Sequence, residues 1–338
     1  MSELKTNKIS TNDQNNVAID NALGLKSYTT AQRDALTSVA GDMIYNSDDS
    51  KVQVYNGSAW EDVGAGNTFS LNYLVVGGGG ATNGQGGGGA GGFLNSFGSE
   101  ASGGGNSSLD ELGIVKGTSY TVTVGAGGSG GANNGSNSVL SRLTAYGGGY
   151  GGDFSEVGQD GGSGGGGGTS NTGTFAAGST LTNLNLGFDG GVGVSNSLTV
   201  NRAAGGGGGA SAVGTAGSSG TGGNGGAGVA SLISGSSVTY AGGGGGWGGT
   251  TGGSGGSGGG GLGETNPNDD NTSGTANTGG GAGGGAPKTN GGSGIVIIRW
   301  ATSSATITVG AGLTSSSATV GDDTVVSFTA GTGTISFS

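Results

Sequence analysis

Two strand-like apolar segments enclose a stretch of chain that is mostly glycine. The first, Leu71-Asn-Tyr-Leu-Val-Val76, runs straight into Gly77-Gly-Gly-Gly80. The second, Gly291-Gly-Ser-Gly-Ile-Val-Ile-Ile-Arg-Trp300, closes the stretch. Of the 92 glycines, 10 lie outside residues 71–300, so 82 lie inside. So few side chains cannot build an ordinary core. Such a region is disordered, fibrous, or packed backbone against backbone.

Composition alone favours disorder, because glycine loses the most conformational freedom on folding and Gly/Ser tracts usually act as flexible linkers. The pattern argues against it. Apolar residues interrupt the glycine runs, and Thr118-Ser-Tyr-Thr-Val-Thr-Val124 alternates with period two, as a half-buried strand does. Collagen requires glycine at every third position and abundant proline; here there are two prolines and no strict triplet. What remains is the extended, left-handed, three-residue-per-turn helix of the polyproline II type. It has no internal hydrogen bonds, so its N–H and C=O groups must bond to neighbours. With no β-carbon on any face, several such helices can lie side by side. The runs 86–89, 103–105, 147–149, 164–168, 205–209, 242–246 and 258–261 are read as helices of this kind.

The flanks differ. Residues 28–66 read as a small helix plus a three-stranded β module. A helix spans Tyr28 to Val39, with Thr29 or Thr30 as N-cap, and strands cover Asp42 to Tyr45, Lys51 to Tyr55 and Ala59 to Val63. Asn56-Gly57 signals a type I′ hairpin. Tyr45, Tyr55 and Trp60 are packing aromatics of a tiny sheet or stack on a sugar. Residues 301–338 read as a β segment, in which Thr334 to Phe337 folds back on Thr324 to Phe328 across Ala330-Gly-Thr-Gly333, and Thr306 to Val309 adds a strand. Strands this short need partners, which other copies of the chain could supply. The expected fold is mostly β and irregular. It comprises an attachment or linker segment at 1–27, the α+β module at 28–66, a polyglycine II/β sandwich domain at 67–300, and the β segment at 301–338.

Absent residue types exclude function classes. With no histidine and no cysteine, the commonest general base, the commonest metal ligand and every thiol nucleophile are missing. No enzyme and no cofactor are expected. A net charge of −11 argues against nucleic acid, whose footprint is basic, and against anionic membranes. No apolar run of about 18 residues predicts a membrane span. The N-terminus lacks the apolar stretch of a signal peptide, so synthesis in the cytoplasm without classical secretion is expected.

Several motifs dissolve on inspection. Gly-x-Gly-x-x-Gly recurs by chance in so glycine-rich a chain, and no long helix follows any copy. Asn266-Pro-Asn-Asp-Asp-Asn271 offers oxygen ligands to calcium but lacks the spacing of an EF-hand, so a solvated turn is the better reading. Asp153, Glu156 and Asp160 lie close in sequence, with no regular element to set a glycosidase-like separation.

Tyr73-Leu-Val-Val-Gly-Gly-Gly-Gly80, Gly86-Gly-Gly-Gly-Ala-Gly-Gly-Phe93, Tyr120-Thr-Val-Thr-Val-Gly-Ala-Gly-Gly128 and Gly292-Ser-Gly-Ile-Val-Ile-Ile-Arg299 resemble the glycine-rich domain of tailed-phage fibre and adhesin proteins, notably of marine phages. Gly41-Asp-Met-Ile-Tyr-Asn46 followed by Tyr55-Asn-Gly-Ser-Ala-Trp60 resembles a small module of phage virion proteins. The chain is more distantly similar to the tip adhesins of T-even-type long fibres, which layer polyglycine II helices and expose variable loops. That resemblance implies a virion fibre or adhesin in which a stiff glycine scaffold carries loops that read a host surface. The candidate loops are 93–102, 150–160, 171–190, 195–203, 229–240 and 264–278. Within or beside them, Tyr150, Phe154, Phe175, Phe188 and Trp247 would stack on sugars or else wedge between layers as local core; Asp153, Asp189 and Arg202 would hydrogen-bond a glycan. The implied partners are the chain itself as a homotrimer, other tail or capsid proteins, and a host-surface glycan or outer-membrane protein. A structural head fibre or capsid or tail decoration is the alternative. An ice-binding or matrix protein is disfavoured because the threonines are not periodic.

Overall fold

The computed structural model describes residues 24–63, 67–181, 185–196 and 198–338. Most of the expected N-terminal attachment segment lies outside them. The chain forms two compact units divided between Asn67 and Thr68.

In the first unit, β1 (Ser27–Tyr28) leads into α1 (Thr30–Asp34), followed by β2 (Met43–Asn46), β3 (Lys51–Tyr55) and β4 (Trp60–Asp62). These make a four-stranded sheet in the order β1-β2-β3-β4, with β1 parallel to β2 and the rest antiparallel. Thr29 is the N-cap, in a capping box with Gln32. The helix stops far short of Val39 because it buries no residue, and a helix without an apolar face to pack is marginal at this length. Asn56-Gly57 does not form the expected type I′ turn, which needs two positive φ angles. Only Gly57 has one (+101°), while Asn56 Oδ1 accepts from the N–H groups of Ser58 and Ala59, both at 2.8 Å. The centre of the unit is polar. Asn46 Nδ2 donates to Asp49 and Gln53, and Gln53 Nε2 donates to Asp62 at 2.7 Å.

The second unit opens with β5 (Thr68–Val76), β6 (Phe93–Asn95), β7 (Leu112–Val115), β8 (Tyr120–Thr123), β9 (Ser138–Leu140) and β10 (Leu143–Ala145). The short pairs β11 (Thr174–Phe175) with β12 (Gly193–Val194), and β13 (Val229–Ser231) with β14 (Val238–Tyr240), follow. The chain ends with β15 (Ile295–Ala301), β16 (Ile307–Val309), β17 (Leu313–Val320) and β18 (Asp323–Phe337). The two apolar bookends of the sequence lie side by side: β5 pairs antiparallel with β15, Val76 opposite Ile295 and Tyr73 opposite Ile298.

One sheet of ten strands carries the order β10-β9-β8-β18-β15-β5-β6, with β7 on β5 and both β16 and β17 on β18. It is nearly closed. Alternation along β5 serves two cores. Leu71, Tyr73 and Val75 face an interior with Trp300, Phe328 and Phe337, whereas Leu74 and Val76 face the glycine region with Phe93, Tyr240 and Ile297. Phe337 meets Phe69, Trp300 and Tyr120 edge-on, with ring centroids 5.1, 5.4 and 6.5 Å away.

The C-terminal segment departs from expectation. Residues 323–337 form one continuous strand, not a hairpin about 330–333. Thr329 is an extra residue in the ladder to β17, and Gly331, at φ +95°, takes the left-handed conformation beside it. This bulge bends β18, so its first half pairs with β15 and its second half with β8. The terminal strands thus find their partners within their own chain, and 301–338 belongs to the same compact unit as the glycine region.

The glycine region is a lattice of extended helices, and residues 86–92 show its rule. The N–H groups of Gly86, Gly89 and Gly92 donate to Gly152, Gly149 and Tyr146. Those of Gly87 and Ala90 donate to Gly205 and Gly208, and those of Gly88 and Gly91 to Ala282 and Gly279. All seven bonds are 2.7–3.0 Å long. Donors therefore rotate through three neighbours with a period of three, as in a polyproline II helix, and no residue of this run has positive φ. Three further helices donate back into the run, from Gly77 and Gly80 to Gly92 and Gly89, from Ser163 and Gly166 to Ala90 and Gly87, and from Gly244 to Gly88. Residues 86–92 thus have six neighbouring helices. So do 203–210 and 241–248, and these three central helices bond to one another.

Glycine is obligatory there because of close approach. A β-carbon on Gly88 would overlap the Gly80 carbonyl and the Ala282 amide nitrogen, both fixed backbone. At Gly113, on β7, a β-carbon would meet nothing within 4 Å. Gly88→Ala is therefore expected to cost at least about 3 kcal/mol, the upper end of overpacking in ordinary cores. Gly113→Ala is expected to be neutral or stabilising by up to about 1 kcal/mol. Thermal unfolding followed by circular dichroism checks both. Equal effects would refute the lattice packing.

Candidate functional site

Each glycine helix runs between the sheet and a far face about 20 Å away, given roughly seven residues at 3.1 Å each. Hydrogen-bond register assigns the described loops below to one of these two ends. Residues 82–85, 151–157, 169–177, 195–196, 198–202, 248–252, 264–272 and 285–289 lie at the far face. The loop 93–102 and the hairpin 229–240 lie at the sheet end, where the Glu100 carboxylate accepts from Ser231 Oγ at 2.5 Å and the Leu232 N–H at 2.8 Å. The six loops read from the sequence as one recognition surface are thus divided between opposite ends.

A cavity of about 350 Å³ opens at the far face, lined by Gly84, Gln85, Asp153, Trp247, Glu264, Asn266, Gly285, Ala286 and Lys288. Backbone bonds of the lattice set its walls. The Trp247 N–H donates to Gln85 O at 2.8 Å and its carbonyl accepts from Ala204, so the indole, 8% exposed, closes the end of a central helix. Glu264 donates its N–H to Gly284, and its buried carboxylate accepts the Ala286 N–H at 2.5 Å. Lys288 Nζ donates to Asn83 Oδ1 at 2.8 Å, and Asn83 Nδ2 donates to Glu156 at 2.6 Å. Gln85 Oε1 accepts from the N–H and hydroxyl of Thr169 at 2.9 and 2.7 Å, tying in the neighbouring loop. The cavity therefore presents an indole, two carboxylates, two amides and an ammonium group.

A second cluster belongs to the same face. The Arg202 guanidinium lies 5.3 Å from the Phe154 ring centroid and donates to Asn196 O at 2.9 Å and Asn171 Oδ1 at 2.5 Å. Phe154, Leu198 and Val200 are exposed.

Of the residues singled out from the sequence, Asp153 and Trp247 line the cavity, and Phe154 and Arg202 pair with each other. Phe175, on β11, stands on the same face. Tyr150 lies on the flank, its N–H held by Asn134 Oδ1 at 2.9 Å. Phe188 and Asp189 are not brought to this face. Phe188 donates its N–H to Gly209 at the sheet end, and Asp189 Oδ1 accepts the Thr180 N–H at 2.8 Å. Glu156 and Asp160 are occupied as structural acceptors for Asn83 and Ser179, and Asp270 Oδ1 accepts the Thr265 N–H at 2.7 Å within its own loop. Sequence reasoning missed Gln85 and Lys288, carried Glu264 only as the first residue of the loop 264–278, and set Asn266 aside as part of a solvated turn. The available signal was charge: between 251 and 294 only Glu264, Asp269, Asp270 and Lys288 are charged.

Residues 58–301 match the family model described as a glycine-rich domain, and the chain belongs to that family. No curated protein and no solved structure matches the chain.

Arg202 clamps two far-face loops to an aromatic ring. Arg202→Ala is expected to speed amide hydrogen exchange about tenfold in 169–173 and 195–202, the effect of losing hydrogen bonds worth about 1.4 kcal/mol. Exchange in 86–92 should not change. Mass-spectrometric exchange measures both, and unaltered loops would show that the clamp is idle.

Proposed function

We propose that this member of the glycine-rich domain family is a virion fibre adhesin of a tailed phage that binds a host-surface glycan at its far face. The observation that carries the reading is the far-face cavity. A sugar ring offers one apolar face of C–H groups and a rim of hydroxyls. Trp247 suits the face, while Asp153, Gln85, Glu264, Asn266 and Lys288 suit the rim. The cavity also falls in the size range of small-ligand sites, about 300–1,000 Å³. Loops that bind while a rigid scaffold holds them are a general arrangement, and the lattice is such a scaffold. Other fibre or capsid proteins are the partners this role requires. Single-site affinity for a sugar is low, and several copies on one virion raise it by avidity.

The test is saturable binding of the fluorescent full-length protein to a panel of bacterial cells and to their immobilised surface polysaccharides. Wild type is expected to bind at least one. Lys288→Ala and Trp247→Phe should each weaken that binding about tenfold or more, the loss of one charged hydrogen bond or of ring contact. Both variants should keep the wild-type unfolding temperature to within a few degrees. Absence of wild-type binding throughout the panel would favour the purely structural virion part. Binding untouched by both substitutions would remove the cavity from the site.

A further inference from the structure

The far-face cavity contains a buried charge that the protein itself does not neutralise. Glu264 is 5% exposed. The ion pairs among the described residues join Arg33 to Asp34, Lys51 to Asp62 and Arg299 to Asp323, and none reaches Glu264. Its Oε2 accepts the Ala286 N–H, while its Oε1 has no hydrogen-bond partner among the described residues. Taking a carboxylate out of water is costly unless it is paired. Lys288, the one cation in the cavity lining, is turned to Asn83 Oδ1. Further acceptors gather at the same place. Gly285 donates its N–H to the Gly84 carbonyl, which sets the two glycines side by side. The Asp153 carboxylate fills the space that a side chain on Gly84 would take, and the Glu264 carboxylate fills that of Gly285. Asn271 Cγ lies 3.1 Å from the latter position, and its buried Oδ1 also lacks a partner. One buried donor lines the cavity as well: Trp247, 8% exposed, has no partner for its indole N–H among the described residues.

We propose that the sugar taken by this cavity carries a free amine, whose ammonium group is held by Glu264 with Asp153 beside it. This rests on the glycan reading above and names the class of sugar. The choice follows from what each common substituent offers. A hydroxyl gives a carboxylate one hydrogen bond and no charge. An N-acetyl group gives one N–H and brings a carbonyl oxygen toward oxygens that already lack donors. An ammonium group gives three N–H donors and the opposite charge, and charge-assisted hydrogen bonds are roughly twice as strong as neutral ones. The lining carries two carboxylates, Asp153 and Glu264, against one ammonium, Lys288, so a singly cationic ligand leaves it neutral. A hydroxyl oxygen of the same sugar accepts from the Trp247 indole N–H.

The test titrates the full-length protein with glucosamine, N-acetylglucosamine and glucose, followed by nuclear magnetic resonance. The three sugars share their ring and differ in one substituent. At about pH 6 the amine is protonated and the carboxylates are ionised. Glucosamine is expected to bind with a Kd of roughly 1 mM and at least about tenfold more tightly than either of the others. Glu264→Gln keeps the side-chain shape and an oxygen for the Ala286 N–H but removes the charge. It should weaken glucosamine binding about tenfold or more, erase the preference over glucose, and leave the unfolding temperature within a few degrees of wild type. The wild-type comparison needs no variant and decides by itself if Glu264→Gln does not fold. Equal binding of the three sugars, no measurable binding of glucosamine, or a folded Glu264→Gln protein that keeps the preference would each overturn the inference. Its failure and that of the adhesin reading are distinct. Cell binding competed equally by neutral sugars would sink the ammonium site and keep the adhesin. A glucosamine preference lost in Glu264→Gln, with no cell bound, would keep the ammonium site and remove the adhesin role.

Discussion

The structure depends on the hydrogen bond between two glycine backbones that approach without β-carbons between them. Gly88 shows the constraint: its N–H reaches Ala282 at 2.8 Å, and its α-carbon lies against the Gly80 carbonyl where a side chain would stand. Ordering glycine is entropically expensive, about 1 kcal/mol more than ordering alanine. Buried amide groups left unpaired would add further cost. A single polyglycine helix satisfies none of its groups internally. Only an arrangement in which donors and acceptors rotate among neighbours answers both demands, and the six-neighbour lattice around 86–92, 203–210 and 241–248 does so. Its bonds join remote parts of the chain, as from Gly79 to Gly292 and from Gly87 to Gly205. It therefore cannot form piecemeal from local contacts.

The sheet supplies what the lattice lacks. Apolar side chains are concentrated in β5, β15 and β18, where burial is worth about 25 cal/mol per Å². The junction is made where the chain passes from one regime to the other. Val76 and Ile295 are the last paired residues before the glycines begin, and Ala90, Ala210 and Ala241 are the small side chains that the lattice presents to Phe93, Tyr240 and Ile297. Ser138 stitches the seam, its hydroxyl donating to Val76 O at 2.6 Å and accepting from Gly125 N–H at 2.9 Å. Hydrophobic burial fixes one end of every helix, and backbone hydrogen bonds carry that order outward to the far face.

Much of this was legible in the sequence. The bookends announced themselves as strands by their apolar runs, and Thr118 to Val124 by its alternation. The runs 86–89, 147–149, 164–168, 205–209 and 242–246 pointed correctly to laterally bonded extended helices because collagen and linkers could be eliminated. By contrast, 103–105 forms a 3-10 turn with Gly104 and Gly105 at positive φ, and Gly258 and Gly259 open the run 258–261 at positive φ. What could not be read was direction. Whether a loop lies at the sheet or at the far face depends on which neighbour a run bonds to, and glycine carries no side-chain pattern to record it. Phe188 and Trp247 look alike in sequence, each set among glycines, yet they sit at opposite ends. Lys288 and Glu264 are brought into one cavity only by the parallel pairing of 261–264 with 281–284. The turn expected at 330–333 failed for a related reason. Gly331 does adopt positive φ, but within a bulge that two flanking strands hold in line, so a tertiary ladder overrode a local turn signal.

The same physics separates the tolerances of the two surfaces. Inside the lattice a β-carbon at most glycines would strike fixed backbone, so change there is paid in overlap with a neighbour that cannot move. At the far face the chain leaves the lattice, and residues such as Phe154, Leu198 and Val200 project into solvent without filling any space the helices need. Loop length and chemistry at that face can therefore vary widely while the helix ends beneath stay where their bonds put them. Trp247 marks the boundary between these regimes. Its backbone is a lattice member bonded to Gln85 and Ala204, while its indole lies in the cavity wall. A side chain anchored this way takes its position from the stiffest part of the molecule, so the cavity can hold a fixed geometry even though the loops around it contain little regular structure.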